Sequence, residues 1–392
     1  MFSGDHQRSK LNLLYGLFIG LFAMNGVFLL SNPSHGIHEK IRQHHSLAQS
    51  SLQRVETQPN LPSGLNDCAH WIPEKERKVL FVELHRWKDY YGPSRYKTGE
   101  YYASATWDYA LKQNGFRVDR VSTKEFYDRM EVQAIKQYHR IFVRDPKYHR
   151  FYNMTDVICR VRPMYFFGDW FYKKNDHNYR FQYPFSESQI LSANPDSHNT
   201  FIGYFPHNLL SPVNGIQMAD RGKVGLLYGK KPEYFEGYYD LISTLLLRGF
   251  ELHTTCKDTP LKKCPIPSKV VRHEEVKPKE FAEMMQGFSF MLGFKQPEGS
   301  PSPLVGMSYG VAFLNPLRQS GGTHTQHRAL SRIGFPYTYV IDLRNTTQVL
   351  QAAEWSSKYR FNSYVPPQYR VDSVVNRICG VIEEDSLCLK SQ

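Results

Sequence analysis

The sequence lacks the short signatures of several common chemistries. It has no Cys-x-x-Cys, so neither a zinc ribbon nor a thioredoxin-type redox site is expected. It has no His-Glu-x-x-His and no Walker loop, which removes the zincin and P-loop readings. No repeat at a fixed period is visible, which argues against a solenoid or a propeller. A concentrated basic arm is missing too. Net charge is +12, yet the paired lysines (Lys173-Lys174, Lys230-Lys231 and Lys262-Lys263) are scattered. Nucleic-acid binding needs a concentrated patch. The excess reads mainly as a soluble surface, with an anionic ligand or acidic lipid headgroups as the alternative.

Charge is absent from residues 11–30. A helix of that length, at ~1.5 Å per residue, spans ~30 Å, one bilayer core. Ser31-Asn-Pro-Ser offers a poor cleavage site, so a signal anchor is expected rather than a removed signal peptide. Residues 1–10 then form a cytoplasmic tail. Residues 31–66, rich in Ser, Gln, His and Pro, read as a stem. Asn153-Met-Thr and Asn345-Thr-Thr are glycosylation acceptors and favour a luminal globular part. Six cysteines (Cys68, Cys159, Cys256, Cys264, Cys379 and Cys388) are an even set compatible with disulfides. Cys256 and Cys264 flank a short loop and suit a local pair; the other four allow three connectivities.

What is present is an alternation of apolar strands and helices. Residues 78–84 read as a first buried strand. Residues 100–114 read as a helix closed by Gly115, and 116–121 as a second strand. Thr123 is expected to cap the next helix. Residues 141–143 and 157–158 read as strand cores. Residues 165–185 are densely aromatic, which suits either a core or stacking on sugars and bases. A second unit runs from 220 to 345. It has strands at 223–229, 251–255, 270–273, 288–294, 311–314 and 338–343, and helices at 233–247, 277–286 and 302–309. Residues 346–359 and 371–383 read as closing helices within 346–392. Strands alternating with helices imply two parallel-sheet α/β domains, 67–219 and 220–345.

The most informative stretch is residues 293–316. An apolar strand enters a turn rich in Pro, Gly and Ser that holds one acid, Glu298. Pro301 and Pro303 suit a helix start, and Gly310 suits its end. A strand, turn and helix N-terminus suit a diphosphate, and an acid in the turn suits ribose hydroxyls. An ordinary β-turn-α connection has the same pattern.

This stretch resembles the nucleotide-sugar motif of glycosyltransferase family 18, the α-1,6-mannosylglycoprotein 6-β-N-acetylglucosaminyltransferases. The shared succession is Gly293-Phe, Glu298-Gly299, Pro301-Ser-Pro-Leu304, then Gly310-Val-Ala-Phe-Leu-Asn-Pro316. One residue is inserted after Glu298-Gly299, and Val305 replaces a second acid. Gly99-Glu100 resembles the family pair that carries the catalytic base, with Gly115 sixteen residues after Gly99 as in the family. The resemblance makes Glu100 the base of an inverting transfer. Taken alone, a glutamate at a helix start stabilises the dipole.

The resemblance extends to Cys159-Arg-Val-Arg162, with Arg162 as a cleft cation or a structural pair, and to Phe167-Gly168 near donor and acceptor. It places Lys230 near a phosphate, with a solvated surface lysine as the alternative, Val276 against the uracil, with a core side chain as the alternative, and Glu298, Gly299 and Ser300 in the nucleotide-sugar turn. A family lysine has only Arg318 as a substitute, because residues 317–332 form a shorter connection. The resemblance implies a GT-B fold, two Rossmann-like domains with a cleft between them. No Asp-x-Asp occurs in the globular part, which fits a metal-independent mechanism with no cofactor. The implied donor is UDP-N-acetylglucosamine and the implied acceptor an N-glycan mannose 6-hydroxyl. The implied setting is a Golgi membrane, type II, with the catalytic part luminal. The alternatives are a GT-B enzyme with another donor or acceptor, or a non-catalytic glycan-binding protein.

Overall fold

The structure is a computed structural model of the 392-residue chain. It describes residues 72–83, 99–144, 155–165, 189–195, 199–206, 221–273, 276, 278–294, 296–318, 322–359 and 361–383. The expected anchor, stem and most of the aromatic tract lie outside them, as do Phe167 and Asn153. Among the described residues no helix is long and apolar enough to cross a membrane. The described residues fall in one compact unit, Gly64–Gln392.

Two six-stranded sheets, parallel throughout, organise the chain. The first has β1 (Lys78–Glu83), β2 (Arg117–Ser122), β3 (Arg140–Arg144), β4 (Val161–Tyr165), β5 (Leu191–Ser192) and β6 (Thr200–Phe201), in the order β2-β1-β3-β4-β5-β6. The second has β7 (Val224–Tyr228), β8 (Glu251–Thr254), β9 (Val271–Arg272), β10 (Phe290–Gly293), β11 (Ala312–Pro316) and β12 (Thr338–Ile341), in the order β12-β11-β10-β7-β8-β9. In each sheet the strand order reverses once, at β1/β3 and at β7/β10. Ligands of open α/β sheets bind outside the carboxyl ends of the strands at such reversals.

The helices are α1 (Gly99–Gln113), α2 (Thr123–Arg129), α3 (Val132–Lys136), α4 (Thr155–Ile158), α5 (Tyr239–Leu247), α6 (Pro278–Met285), α7 (Ser302–Ser308), α8 (Arg328–Ser331), α9 (Thr346–Lys358) and α10 (Val371–Glu383).

The central strands are buried along nearly their whole length, successive residues facing opposite cores, because both faces of a parallel sheet are covered. Val79 and Phe81 face one core together with Trp107 and Leu111 of α1, while Leu80 and Val82 face another with Phe126 and Ile135. Leu226, Tyr228 and Met291 join the first of these cores. Leu227, Leu292 and Leu314 face a third, against α5 and α9. Each fully buried Leu, Ile or Phe contributes about 1.5–3 kcal/mol of transfer free energy. The chain end returns to the first sheet. Val374, Val375, Ile378 and Ile382 of α10 are buried in the core of Phe81 and Trp107. The Asn114 amide donates to the Val375 carbonyl at 3.2 Å, and Arg140 Nη2 donates to the Ile382 carbonyl at 2.9 Å. Arg377 Nε donates to the Ile202 carbonyl at 2.8 Å.

Several local expectations change. Residues 157–158 are the end of α4, not a strand, and β4 begins at Val161. Two apolar residues carry too little period to separate helix from strand. The helix expected at 233–247 is split into a single 3-10 turn, Pro232–Tyr234, and α5, with Gly237 at φ +79° between them. That left-handed position admits glycine and interrupts the helix. The cap of α2 is Ser122, whose hydroxyl accepts from Glu125 N at 3.1 Å; Thr123 Oγ1 instead donates to the Glu83 carbonyl at 2.8 Å. Cys256 and Cys264 form the local disulfide as expected, and Cys379 is also disulfide-bonded. Cys159 is free, so the remaining four cysteines are not all paired.

Candidate active site

The turn after β10 lies at the β7/β10 reversal, beside the loop that leaves β7. Gly293 ends β10 against the Gln326 amide and the Pro316 ring, and a methyl group there would collide with Gln326 Oε1. Gly299 has φ +58°, so the turn requires glycine. Its N–H donates to the Gln326 carbonyl at 3.1 Å. Glu298 is half exposed. Its Oε1 accepts from Arg318 Nη2 at 2.7 Å and from Gln296 Nε2 at 3.1 Å. Ser300 is buried, with its Oγ 2.5 Å from the Tyr228 hydroxyl. Tyr228 ends β7, and its phenol is held above the usual tyrosine range, chiefly by burial.

The amides offered by this turn are fewer than the pattern implies. Pro301 and Pro303 have no N–H, and Ser302 N donates to Ser300 Oγ at 3.4 Å. The hydroxyls of Ser300, Ser302 and Tyr228 are therefore the main polar groups at the start of α7. Lys230, in the loop after β7, is exposed, and Val276 is half-buried. Near it, His273 Nε2 lies 2.8 Å from His253 Nδ1, whose Nε2 meets Glu251 at 2.8 Å. Burial and then His253 hold the His273 pKa below the ordinary value.

At the β1/β3 reversal of the first sheet, Glu83 ends β1 and Glu100 stands in the first turn of α1. Ala103, Trp107, Ala110 and Leu111 bury one face of α1, and Trp107 Nε1 donates to the Gly203 carbonyl at 2.7 Å. Glu83 is buried and accepts a hydrogen bond from the Ser104 hydroxyl. Burial raises its pKa, opposed by the Ser104 bond and by Arg120 and Arg144. An acid closing an apolar strand is a visible signal in Val79-Leu-Phe-Val-Glu83, but its burial depends on Ser104, 21 residues away. Arg162 is buried on β4; its Nη1 donates to the Cys159 carbonyl at 3.0 Å and the Val161 carbonyl at 2.7 Å.

The two reversals are linked. Thr106 of α1 exchanges 3.4 Å contacts with the Phe205 backbone, and Tyr204 next to it lies in the same buried cluster as Tyr228. Glu100 therefore stands on the helix that packs against residues 203–205, and Ser300 bonds to a strand end in that same cluster.

One spelling is misleading. Gly306-Met-Ser308-Tyr-Gly310 has the Gly-x-Ser-x-Gly pattern of hydrolase nucleophile elbows. Ser308 is the last residue of α7, is buried, and donates to the Val305 carbonyl at 2.7 Å. It is not on a strand-to-helix turn and carries no nucleophile geometry. Among the described residues no group of three or more His, Cys, Asp or Glu is placed to hold a metal ion.

Residues 118–392 match the sequence profile described as glycosyltransferase family 18. Human alpha-1,6-mannosylglycoprotein 6-beta-N-acetylglucosaminyltransferase A is 25% identical over 214 residues, which is 48% of this chain and 28% of that protein. The human B enzyme is 22% identical over 259 residues, 59% of this chain and 33% of that protein. The match thus spans about a third or less of these relatives' own length. Among solved structures, Anabaena Alr3699/HepE in complex with UDP-glucose aligns with a TM-score of 0.45 at 10% identity, covering 80% of this chain and 100% of that one. A glycosyltransferase from Rickettsia africae aligns with a TM-score of 0.45 at 9% identity, covering 80% and 96%.

Proposed function

The chain belongs to glycosyltransferase family 18, and from that premise we propose that it is an inverting glycosyltransferase that uses a UDP-sugar, with UDP-N-acetylglucosamine as donor. The acceptor is the 6-hydroxyl of an α-mannose in an N-glycan. The carrying observation is the 296–300 turn at the β7/β10 reversal, which brings Glu298, Gly299 and Ser300 to the Tyr228 strand end. In this reading Glu298 holds the ribose hydroxyls, and the Ser300 and Ser302 hydroxyls meet the diphosphate. Lys230 and Arg318 offset the charge that builds on the leaving diphosphate. Val276 meets the uracil through its backbone. Glu100 removes the proton from the acceptor hydroxyl as the diphosphate leaves from the opposite face. Two parallel sheets with a reversal in each support a GT-B arrangement. The named relatives support the donor and acceptor.

Calorimetric titration with UDP-N-acetylglucosamine tests the reading, with UDP-glucose as a competitor and EDTA present throughout. Binding should persist in EDTA and fall at least ~10-fold in Glu298→Ala, as expected when charge-assisted hydrogen bonds are lost. Binding that needs added manganese would rule out the metal-independent mechanism. A protein that binds glycans but no nucleotide sugar would be the non-catalytic alternative.

A luminal, Golgi-anchored topology is part of the same proposal. It is supported by the uncharged 11–30 segment and by Asn345, which is exposed and caps α9 through Oδ1, accepting from Gln348 N at 3.1 Å. The cap uses the amide oxygen, which leaves the amide nitrogen for a glycan. Endoglycosidase digestion of the cell-expressed protein should raise its mobility, and Asn345→Gln should remove part of that shift. A single unshifted band for the wild type would count against the luminal placement.

A further inference from the structure

Residues 317–318 and 322–327 lie against the 296–300 turn. Leu317 bridges to Thr325, and Arg318 N donates to the His324 carbonyl at 2.8 Å, closing a small hairpin. Its return strand is fixed to β11. Gln326 N donates to the Pro316 carbonyl at 2.9 Å. Asn315 pairs reciprocally with the His327 backbone: Nδ2 donates to the carbonyl at 2.9 Å, and Oδ1 accepts from the N–H at 3.0 Å. Both Asn315 and His327 are buried, so these bonds tie the base of the hairpin to β11 out of reach of water. From this base Gln326 reaches the turn twice. Its carbonyl accepts from Gly299 N at 3.1 Å, and its Nε2 donates to the Pro297 carbonyl at 3.2 Å. These two contacts bracket Glu298. The side chain occupies the space left by the missing Cβ of Gly293.

Three neighbouring buried side-chain atoms have no hydrogen-bond partner: Thr325 Oγ1, Gln326 Oε1 and His327 Nε2. Such atoms carry a desolvation penalty, and they cluster where an element serves a site more than its own stability. Glu298 is held from the other arm of the hairpin by Arg318 at 2.7 Å. The hairpin therefore fixes both the backbone of the turn and its acid.

We propose that Gln326 is a positioning residue for nucleotide-sugar binding, which fixes the 297–299 turn to β11 and thereby places Glu298 on the donor. The inference rests on the reading that the donor binds at this turn, and it adds a residue to which no role has so far been given. Among the described residues Gln326 contacts Gly293, Pro297, Gly299 and Pro316, all at the donor turn or β11. Its loss should act on donor affinity and leave turnover at saturating donor nearly intact.

The test compares wild type, Gln326→Ala, Gln326→Met and Glu298→Ala, with UDP as the titrant and transfer kinetics alongside. Gln326→Met keeps the length and packing of the side chain and removes its amide, so it separates hydrogen bonding from space filling. Both Gln326 variants should weaken UDP binding and raise the donor KM by ~10-fold. At saturating donor, kcat and the acceptor KM should stay within a factor of about three. Gly293→Ala drives a methyl group into the Gln326 amide and should weaken UDP binding to a similar degree; it serves as the second route if Gln326→Met does not fold. Wild-type UDP affinity in folded Gln326→Met, or in folded Gly293→Ala, overturns the inference alone. Failure of the wild-type protein to bind UDP overturns the functional reading and the inference with it.

Discussion

Glu100→Gln should lower kcat by ~10²–10⁴-fold, the usual loss when a general base is removed. UDP affinity should hardly change, because the residues proposed to hold the donor follow β7 and β10 in the second sheet while Glu100 lies in the first turn of α1, beside the first. The helix itself should survive the change. Its attachment comes from Ala103, Trp107, Ala110 and Leu111 and from the Trp107 bond to Gly203, all beyond the first turn. If Glu100 serves only the helix dipole, the result differs: stability falls by ~0.3–1 kcal/mol and turnover stays near normal. Steady-state kinetics with the true acceptor, together with a thermal melt, separate the two. Near-wild-type kcat in Glu100→Gln would leave the proton transfer to another group.

The second large effect is on stability against pH. His327 is buried, and burial pushes its imidazole pKa down to about 3. Its Nδ1 accepts from Leu330 N at 3.4 Å, so the neutral ring carries its proton on Nε2. In the unfolded chain the ring takes up a proton near the ordinary histidine value of about 6.5. Between those two values the unfolded state binds one more proton than the native state. Stability is therefore complete above about pH 6.5 and declines as pH falls, by about 1.4 kcal/mol per pH unit from this group. His139 is pushed in the same direction, also to about 3, by burial and then by Arg140 and Arg160, and adds to the slope. Urea unfolding from pH 7.5 to 4.5 should show midpoints that fall with acidity. His327→Asn keeps an oxygen that can cap α8 but removes the titration. Its pH dependence should be shallower than that of wild type, even if its stability at pH 7.5 is lower. Parallel pH curves for the two proteins would mean that His327 protonates in the native state at an ordinary pH.

Much of the architecture was legible because its signals are local. The bounds of α10 match the expected 371–383, and most strands shift by only a residue or two. Continuous apolar runs such as Val79-Leu-Phe-Val suit a strand covered on both faces, as in a parallel sheet. The failures are local ambiguities. Val157 and Ile158 are too short a run to declare a period, and Gly237 looks like any glycine until its φ is known. At the candidate site, the strand and helix of 293–316 were readable because they follow one another directly, while their part in donor binding was suggested by the family resemblance and not by the pattern. Gln326 and Glu83 were not readable. Their meaning lies in contacts with Pro297 and Ser104, at separations of 29 and 21 residues, which no local pattern encodes. The helix-terminus argument for the diphosphate was incomplete for a chemical reason: the prolines that favour the helix start also remove its donors.

The return of α10 to the first sheet has a consequence for biosynthesis. Translation delivers β1 to β6 long before residues 371–383, yet Val374, Val375 and Ile378 belong to the same buried cluster as Trp107 and Leu111 of α1. Until then the nascent first half presents the apolar side of Trp107 and Leu111 without α10, while one face of β7, β10 and β11 can close on α5 and α9. The half made first is thus completed by α10, which is made after both sheets.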